Sequence, residues 1–152
     1  MTDRPGFELA VTGILEAPIA AVWRAWTEHL PEWWCPAPWT VEVIENDLRA
    51  GGRSAMIMHG PGGEAEPMEG VFLEVTPPSR IVFTNAFTAG WIPQAPFMVG
   101  FFEWTEEDGH TRYRHGARHW SEEAMRQHEA MGFHPGWSIV ARQLEAVAQR
   151  LA

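Results

Sequence analysis

The sequence predicts an α+β fold in which a curved, seven-stranded antiparallel sheet packs around a long C-terminal helix, with two short helices between the first and second strands. Three observations predict it. Trp137, Val140, Leu144, Val147 and Leu151 step by three, four, three and four residues, the spacing of one apolar helical face. The region from 39 to 118 instead breaks into six short strand-like runs, punctuated by Gly51-Gly52, "HGPGGEAEP", "TPPS", "TAGWIPQAP" and "EEDG". No helical period longer than two turns lies between those runs, so the strands follow one another through short connections as an antiparallel meander.

Taken in order, "FELAVTGILE" (7–16) reads as the first strand. Pro18 suits a helix start, and Ile19, Val22, Trp23 and Trp26 then form one helical stripe. "EHLPEWW" reads as a second short helix, stopped by Pro36 and Pro38. Strands follow near 39–47, 53–59, 68–76, 80–87, 97–105 and 110–118. Ser121 can cap a helix with Glu122 and Glu123 in its first turn, and "GFHPG" (132–136) breaks or bends it before the long stripe begins. The largest apolar surface open to that stripe is the concave face of the sheet, and a helix lying in a curved sheet can leave a cavity between them.

The chain has 152 residues, enough for one domain (1–152) with one core. A net charge of −9 with no basic run argues against nucleic acid and anionic membrane surfaces as partners, since both need clustered Arg or Lys. The single cysteine, Cys35, allows no internal disulfide and fits a reducing compartment. With no apolar stretch of signal-peptide or membrane-spanning length, a cytoplasmic protein is expected, monomeric or homodimeric.

Successive turns of a meander alternate between the two ends of the sheet. The tight turns at 48–52, 77–79 and 106–109 share one end; the longer segments at 60–67, 88–96 and 117–120 share the other, which is the candidate mouth. It would carry Trp91, His119, Trp120 and His59. On the last strand, Thr111, Tyr113 and His115 share the inward face, and Arg112 and Arg114 the outward one. Ile81, Phe83, Asn85 and Phe87 share a face in the same way. Phe83, Asn85, Tyr113, His115 and Trp137 would then line a mostly apolar pocket with a few polar anchors, the composition of a small-molecule site.

"PEWWCP" (31–36) adds two neighbouring rings. Adjacent helical side chains point about 100° apart, so Trp33 and Trp34 cannot both face one core. One should wedge into the junction while the other lines the pocket or its wall.

The seven histidines show no HExxH or paired CxxC spacing; His115 and His119 are four residues apart on a strand, and His128 and His134 flank the helix break. No metal and no cofactor is expected. Cys35 has no cationic neighbour in sequence and reads as a packed thiol. Gly51-Gly52 precedes a strand rather than a helix, so it reads as a turn and not a phosphate loop. His115 with Tyr113 remains the one candidate acid/base pair, set against a buried histidine bonded to a carbonyl or water.

"LEAPIAAVWRAWTEHLPEWWCP", "DLRAGGRSAMIM", "MEGVFLEVTPPSRIVFTN" and "HPGWSIVARQLEAVAQRL" together resemble the activator of heat-shock protein 90 ATPase-like family, within the START/birch-allergen-like (SRPBCC) superfamily. The resemblance runs from about residue 7 to 151. It implies a helix-grip fold and no shared catalytic motif. It implies three functions: a carrier of a small hydrophobic molecule or lipid, a polyketide cyclase or aromatase, and a chaperone-activating interaction module. The expected ligand contacts are Trp33, Trp34, Phe83, Asn85, Trp91, Tyr113, His115 and Trp137, and a non-catalytic binding protein is the leading expectation.

Overall fold

The structure, a computed structural model, describes residues 6–152. Its elements are β1 (Glu8–Leu15), α1 (Ile19–Glu28), a 3-10 turn (Leu30–Glu32), β2 (Thr40–Asn46), β3 (Arg53–His59), β4 (Ala65–Thr76) and β5 (Arg80–Thr84). There follow β6 (Phe87–Thr88), β7 (Ile92–Pro93), β8 (Val99–Glu107), β9 (His110–Arg118), α2 (Glu122–Ala130) and α3 (Phe133–Leu151). Seven strands form one antiparallel sheet in the order β1-β9-β8-β5-β4-β3-β2, and β6 and β7 form a separate small hairpin. With α3 packed on the inner face, this is the helix-grip arrangement.

Two bulges bend the sheet. The register shifts between Val43 and Glu45 on β2 and between Phe72 and Glu74 on β4. Each leaves one extra residue, Ile44 and Leu73, exposed on the outside, and an unpaired residue bends a strand and increases its twist. The β2–β3 turn uses its diglycine for geometry. Gly51 has φ +82°, and a Cβ on Gly52 would lie 1.9 Å from the Asp47 carbonyl oxygen.

Inside the sheet, α3 buries Ala141, Leu144, Val147 and Ala148, and α1 buries Ala21, Val22, Ala25 and Trp26. The alanines let the two helices approach closely, and Leu144 and Val147 each remove a side chain from water for about 1.5–3 kcal/mol.

Three local expectations are corrected. The second short helix is a single 3-10 turn, Leu30–Glu32; Pro31 stands in its first positions, where a missing N–H is no loss, and the chain leaves helical geometry at Trp33 (φ −141°). The strand expected over 80–87 ends at Thr84, whose hydroxyl accepts from Ala86 N at 3.1 Å and donates to the Met98 carbonyl at 2.9 Å, turning the chain out of the ladder. The C-terminal break lies at Met131-Gly132, with Gly132 at φ +95°; Pro135 sits in the first turn of α3, where its missing N–H is no loss, so the helix also buries Phe133.

β4 is longer than its neighbours. Its second half, from Val71 on, pairs with β5, whereas its first half pairs only with β3. Pro67 lies in that first half, where a residue without an N–H is tolerated.

Candidate functional site

The unpaired flank of β4 and the segment between β5 and β8 (85–98) border a cavity of about 550 Å³. That volume falls in the range of roughly 300–1,000 Å³ usual for small-molecule sites. The sheet contributes Met56, Met68, Phe72 and Phe83, and the helical side contributes Trp26 and Trp34. Asn85, Gln94, Phe97 and Met98 close it from the connecting segment.

Trp34 is held by the polypeptide around it. Gln143 of α3 donates its amide hydrogens to the carbonyls of Trp33 (3.0 Å) and Cys35 (2.9 Å), and its oxygen accepts from Ala37 N at 3.1 Å. This clasp fixes the turn that carries the ring. Trp34 then lies against Phe83 (5.7 Å between centroids) and Phe102 (6.0 Å). Its neighbour Trp33 is fully buried and donates its indole N–H to Ala25 O at 2.9 Å. One ring therefore wedges between α1 and the core, and the other forms wall.

Side chains, more than a strand ladder, hold the 85–98 segment. Asn85 Oδ1 accepts from Phe97 N (2.8 Å) and Met98 N (3.3 Å). Gln94 Nε2 donates to the carbonyls of Glu69 and Asn85, both at 2.8 Å. The one charged wall residue, Glu69, is held by Arg53 through bonds of 2.8 and 3.0 Å, which leaves the wall without an unpaired charge.

Of the sequence-predicted residues, the cavity brings together Trp34, Phe83 and Asn85. Tyr113 and His115 face inward as strand alternation predicts but lie in the core, not at the cavity. His115 is 1% exposed, sits between the rings of Phe102 (4.5 Å) and Tyr113 (4.6 Å), and accepts from Trp104 Nε1–H at 3.0 Å. Phe102, which also touches Phe83 and Trp34, separates it from the cavity. Burial, and then the nearby Arg142 charge, lowers its pKa to about 3. An imidazole tuned near neutrality is therefore not what this position holds. Tyr113 is buried under Arg142, whose guanidinium donates to the Tyr113 hydroxyl at 3.3 Å.

Trp137 stacks on Phe133 (4.7 Å) and Phe102 (5.9 Å), outside the cavity wall. Trp91, at the tip between β6 and β7, is 58% exposed and packs on Phe87 and Gly51, also away from the wall.

The histidines pair differently from the spacing. His119 joins His128 of α2, not His115, at 2.8 Å. A carbonyl can only accept, so His119 Nδ1–H donates to Phe7 O (2.8 Å) and its Nε2 accepts from His128 Nδ1–H. Among the described residues no group of three or more His, Cys, Asp or Glu is placed to hold a metal ion. Cys35 is buried, which raises its pKa, and it is unpaired.

Sequence reasoning missed Gln143, Gln94, Trp26 and the methionines of the wall. Ser54, Met56 and Met58 alternate on one strand, and that signal could have found Met56. Gln143 and Gln94 carry no such signal, since a polar residue beside a helical stripe or in a Gly/Pro-rich loop reads as solvent-facing.

The chain matches the model of the family described as activator of Hsp90 ATPase homolog 1-like protein over residues 16–149. A crystal structure of a protein from Nitrosomonas europaea is similar at 34% identity and a TM-score of 0.88, covering 99% of this chain and 97% of that one. A second, from Mycobacterium smegmatis, is 28% identical with a TM-score of 0.77, over 93% of this chain and 90% of that one. A solution structure described as an activator of Hsp90 ATPase homolog 1-like protein from Aeromonas hydrophila shares the fold at 19% identity and a TM-score of 0.70, over 95% of this chain and 93% of that one. No curated protein matches the chain.

Proposed function

The chain belongs to the family of activator of Hsp90 ATPase homolog 1-like proteins, and on that premise we propose that it is a non-catalytic binding protein for a small, mainly apolar or aromatic molecule. The observation that carries this reading is the cavity of about 550 Å³ walled by Trp34, Phe83 and three methionines. Flat rings and flexible thioethers suit aromatic guests of varied outline. Burying an apolar guest there gains about 25 cal/mol for each Å² removed from water, less the cost of immobilising it. We read residues 1–152 as one such domain, and place it in the cytoplasm because its single thiol is unpaired. No helix among the described residues is long and apolar enough to cross a membrane.

The test is native mass spectrometry of freshly purified protein, compared with the denatured spectrum, and titration with the neutral fluorescent probe N-phenyl-1-naphthylamine. Saturable one-site binding that weakens in Trp34→Ala supports the reading. An apo native mass together with no saturable binding overturns it.

A second reading, contact with a chaperone or other protein, is favoured by the exposed Trp91 and Ile92 at the hairpin tip. It predicts that chaperone capture by the immobilised protein is lost in Trp91→Ser. The cyclase alternative gains no support from His115, which the core seals.

A further inference from the structure

Three buried side-chain polar atoms among the described residues have no hydrogen-bond partner: Trp26 Nε1, Asn46 Oδ1 and Arg80 Nε. Only Trp26 belongs to the cavity wall, where it and Phe72 are each 1% exposed. Buried indole N–H groups ordinarily find an acceptor, and the contrast within this protein is direct: Trp33 donates to Ala25 and Trp104 to His115. The rings next to Trp26 are those of Trp33, Trp34, Phe72 and Phe102, none of which offers a carbonyl or carboxylate.

Most polar atoms of the other wall side chains are engaged, Asn85 Nδ2 reaching the Ala95 carbonyl only at 3.5 Å. Gln94 Nε2 is shared between two carbonyls, Asn85 Oδ1 accepts from two amides, the Thr84 hydroxyl is bonded on both sides, and Glu69 is held by Arg53. The Ser54 hydroxyl is only half-buried and can bond water. The wall contains no Arg, so an anionic guest would meet no counter-charge and would face the Glu69 carboxylate.

We infer that the cavity selects an apolar ring system carrying one neutral hydrogen-bond acceptor, such as a ketone oxygen, which takes the unpartnered Trp26 indole N–H. This rests on the cavity being a ligand site. It adds the acceptor and excludes the anion.

The experiment compares two naphthalenes of matched shape, 2-acetylnaphthalene and 2-isopropylnaphthalene, on wild type and Trp26→Phe. The net value of one neutral hydrogen bond predicts that Trp26→Phe weakens the ketone about 2- to 12-fold more than the hydrocarbon. In the wild type, the Trp26 indole N–H resonance, assigned by through-bond spectra, should move downfield with the ketone and stay in place with the hydrocarbon. This second readout serves if the variant does not fold. Equal loss for both probes, with an unmoved resonance, overturns the acceptor inference and leaves the cavity reading standing. Binding of neither probe overturns both.

Discussion

The indole N–H of Trp33 donates to the carbonyl oxygen of Ala25 across the junction between α1 and the turn that follows it. The adjacent Trp34 has its ring against Phe83 on the cavity side. Two neighbouring residues of one type thus sit in two environments. Trp33→Ala should cost about 3–5 kcal/mol in urea unfolding, because it removes a buried ring and leaves a void. Trp34→Ala should cost less stability and more probe affinity. The assignment fails if the two variants lose stability and affinity in the same proportion.

Gln143 acts on the cavity without touching it. Its three bonds to the Trp33–Ala37 turn fix the segment that carries Trp34. Gln143→Leu keeps the volume and removes the clasp, with an expected loss of about 1–3 kcal/mol. Probe affinity should fall with it, and limited proteolysis should cut first near residues 33–38. A variant with wild-type affinity and an uncut turn would show that Gln143 is only a surface contact.

Gly100 gives room to Phe83. A Cβ at position 100 would lie 2.3 Å from the end of that ring, which is itself part of the cavity wall. Gly100→Ala should cost about 1–3 kcal/mol of stability by overpacking. It should also shrink the cavity, weakening bulky probes more than small ones. Thermal unfolding and titration with benzene- and naphthalene-sized probes measure the two effects separately; an affinity loss independent of probe size goes against this account.

Acid should destabilise the fold through two imidazoles. Burial lowers the pKa of His115 from 6.5 to about 3, and burial followed by His119 lowers that of His128 from 6.5 to about 4. The unfolded chain therefore binds protons that the folded chain refuses. Stability present above pH 6.5 is lost as pH falls through the window down to about 4, by about 1.4 kcal/mol per pH unit for each histidine. Unfolding free energies measured at pH 6 and pH 5 should show this slope, and His128→Asn should remove about half of it. An unchanged slope in that variant would clear His128 of the role.

The antiparallel meander and the long C-terminal helix were legible because each rests on a local period: two for the strands, between three and four for α3; the pairing of β1 with β9, a contact between the two ends of the chain, was not. The split between Trp33 and Trp34 was argued from helical geometry, yet the 3-10 turn ends at Glu32, so it is the irregular turn after it that sends the two rings apart. Tyr113 and His115 show where that reasoning stops. Alternation predicts the inward face correctly, yet inward is not the same as lining a cavity, and Phe102 from the next strand decides the difference. The Gln143 clasp spans more than a hundred positions of chain, and nothing in the local pattern marks it. Trp91 misled through its loop, because Gly/Pro punctuation reports that a chain turns and not which way the tip falls.

The way the cavity's outer cover is attached also bears on how such a protein diversifies. The 85–98 segment hangs from Asn85 and Gln94, while the scaffold beneath is tied by its own ladders and by the packing of α1 on α3. Change at its exposed residues, such as Ile92, leaves the ladders of the frame untouched, whereas Phe97 and Met98 pack back onto it. One scaffold can in this way try many guest preferences at the exposed positions of a single segment.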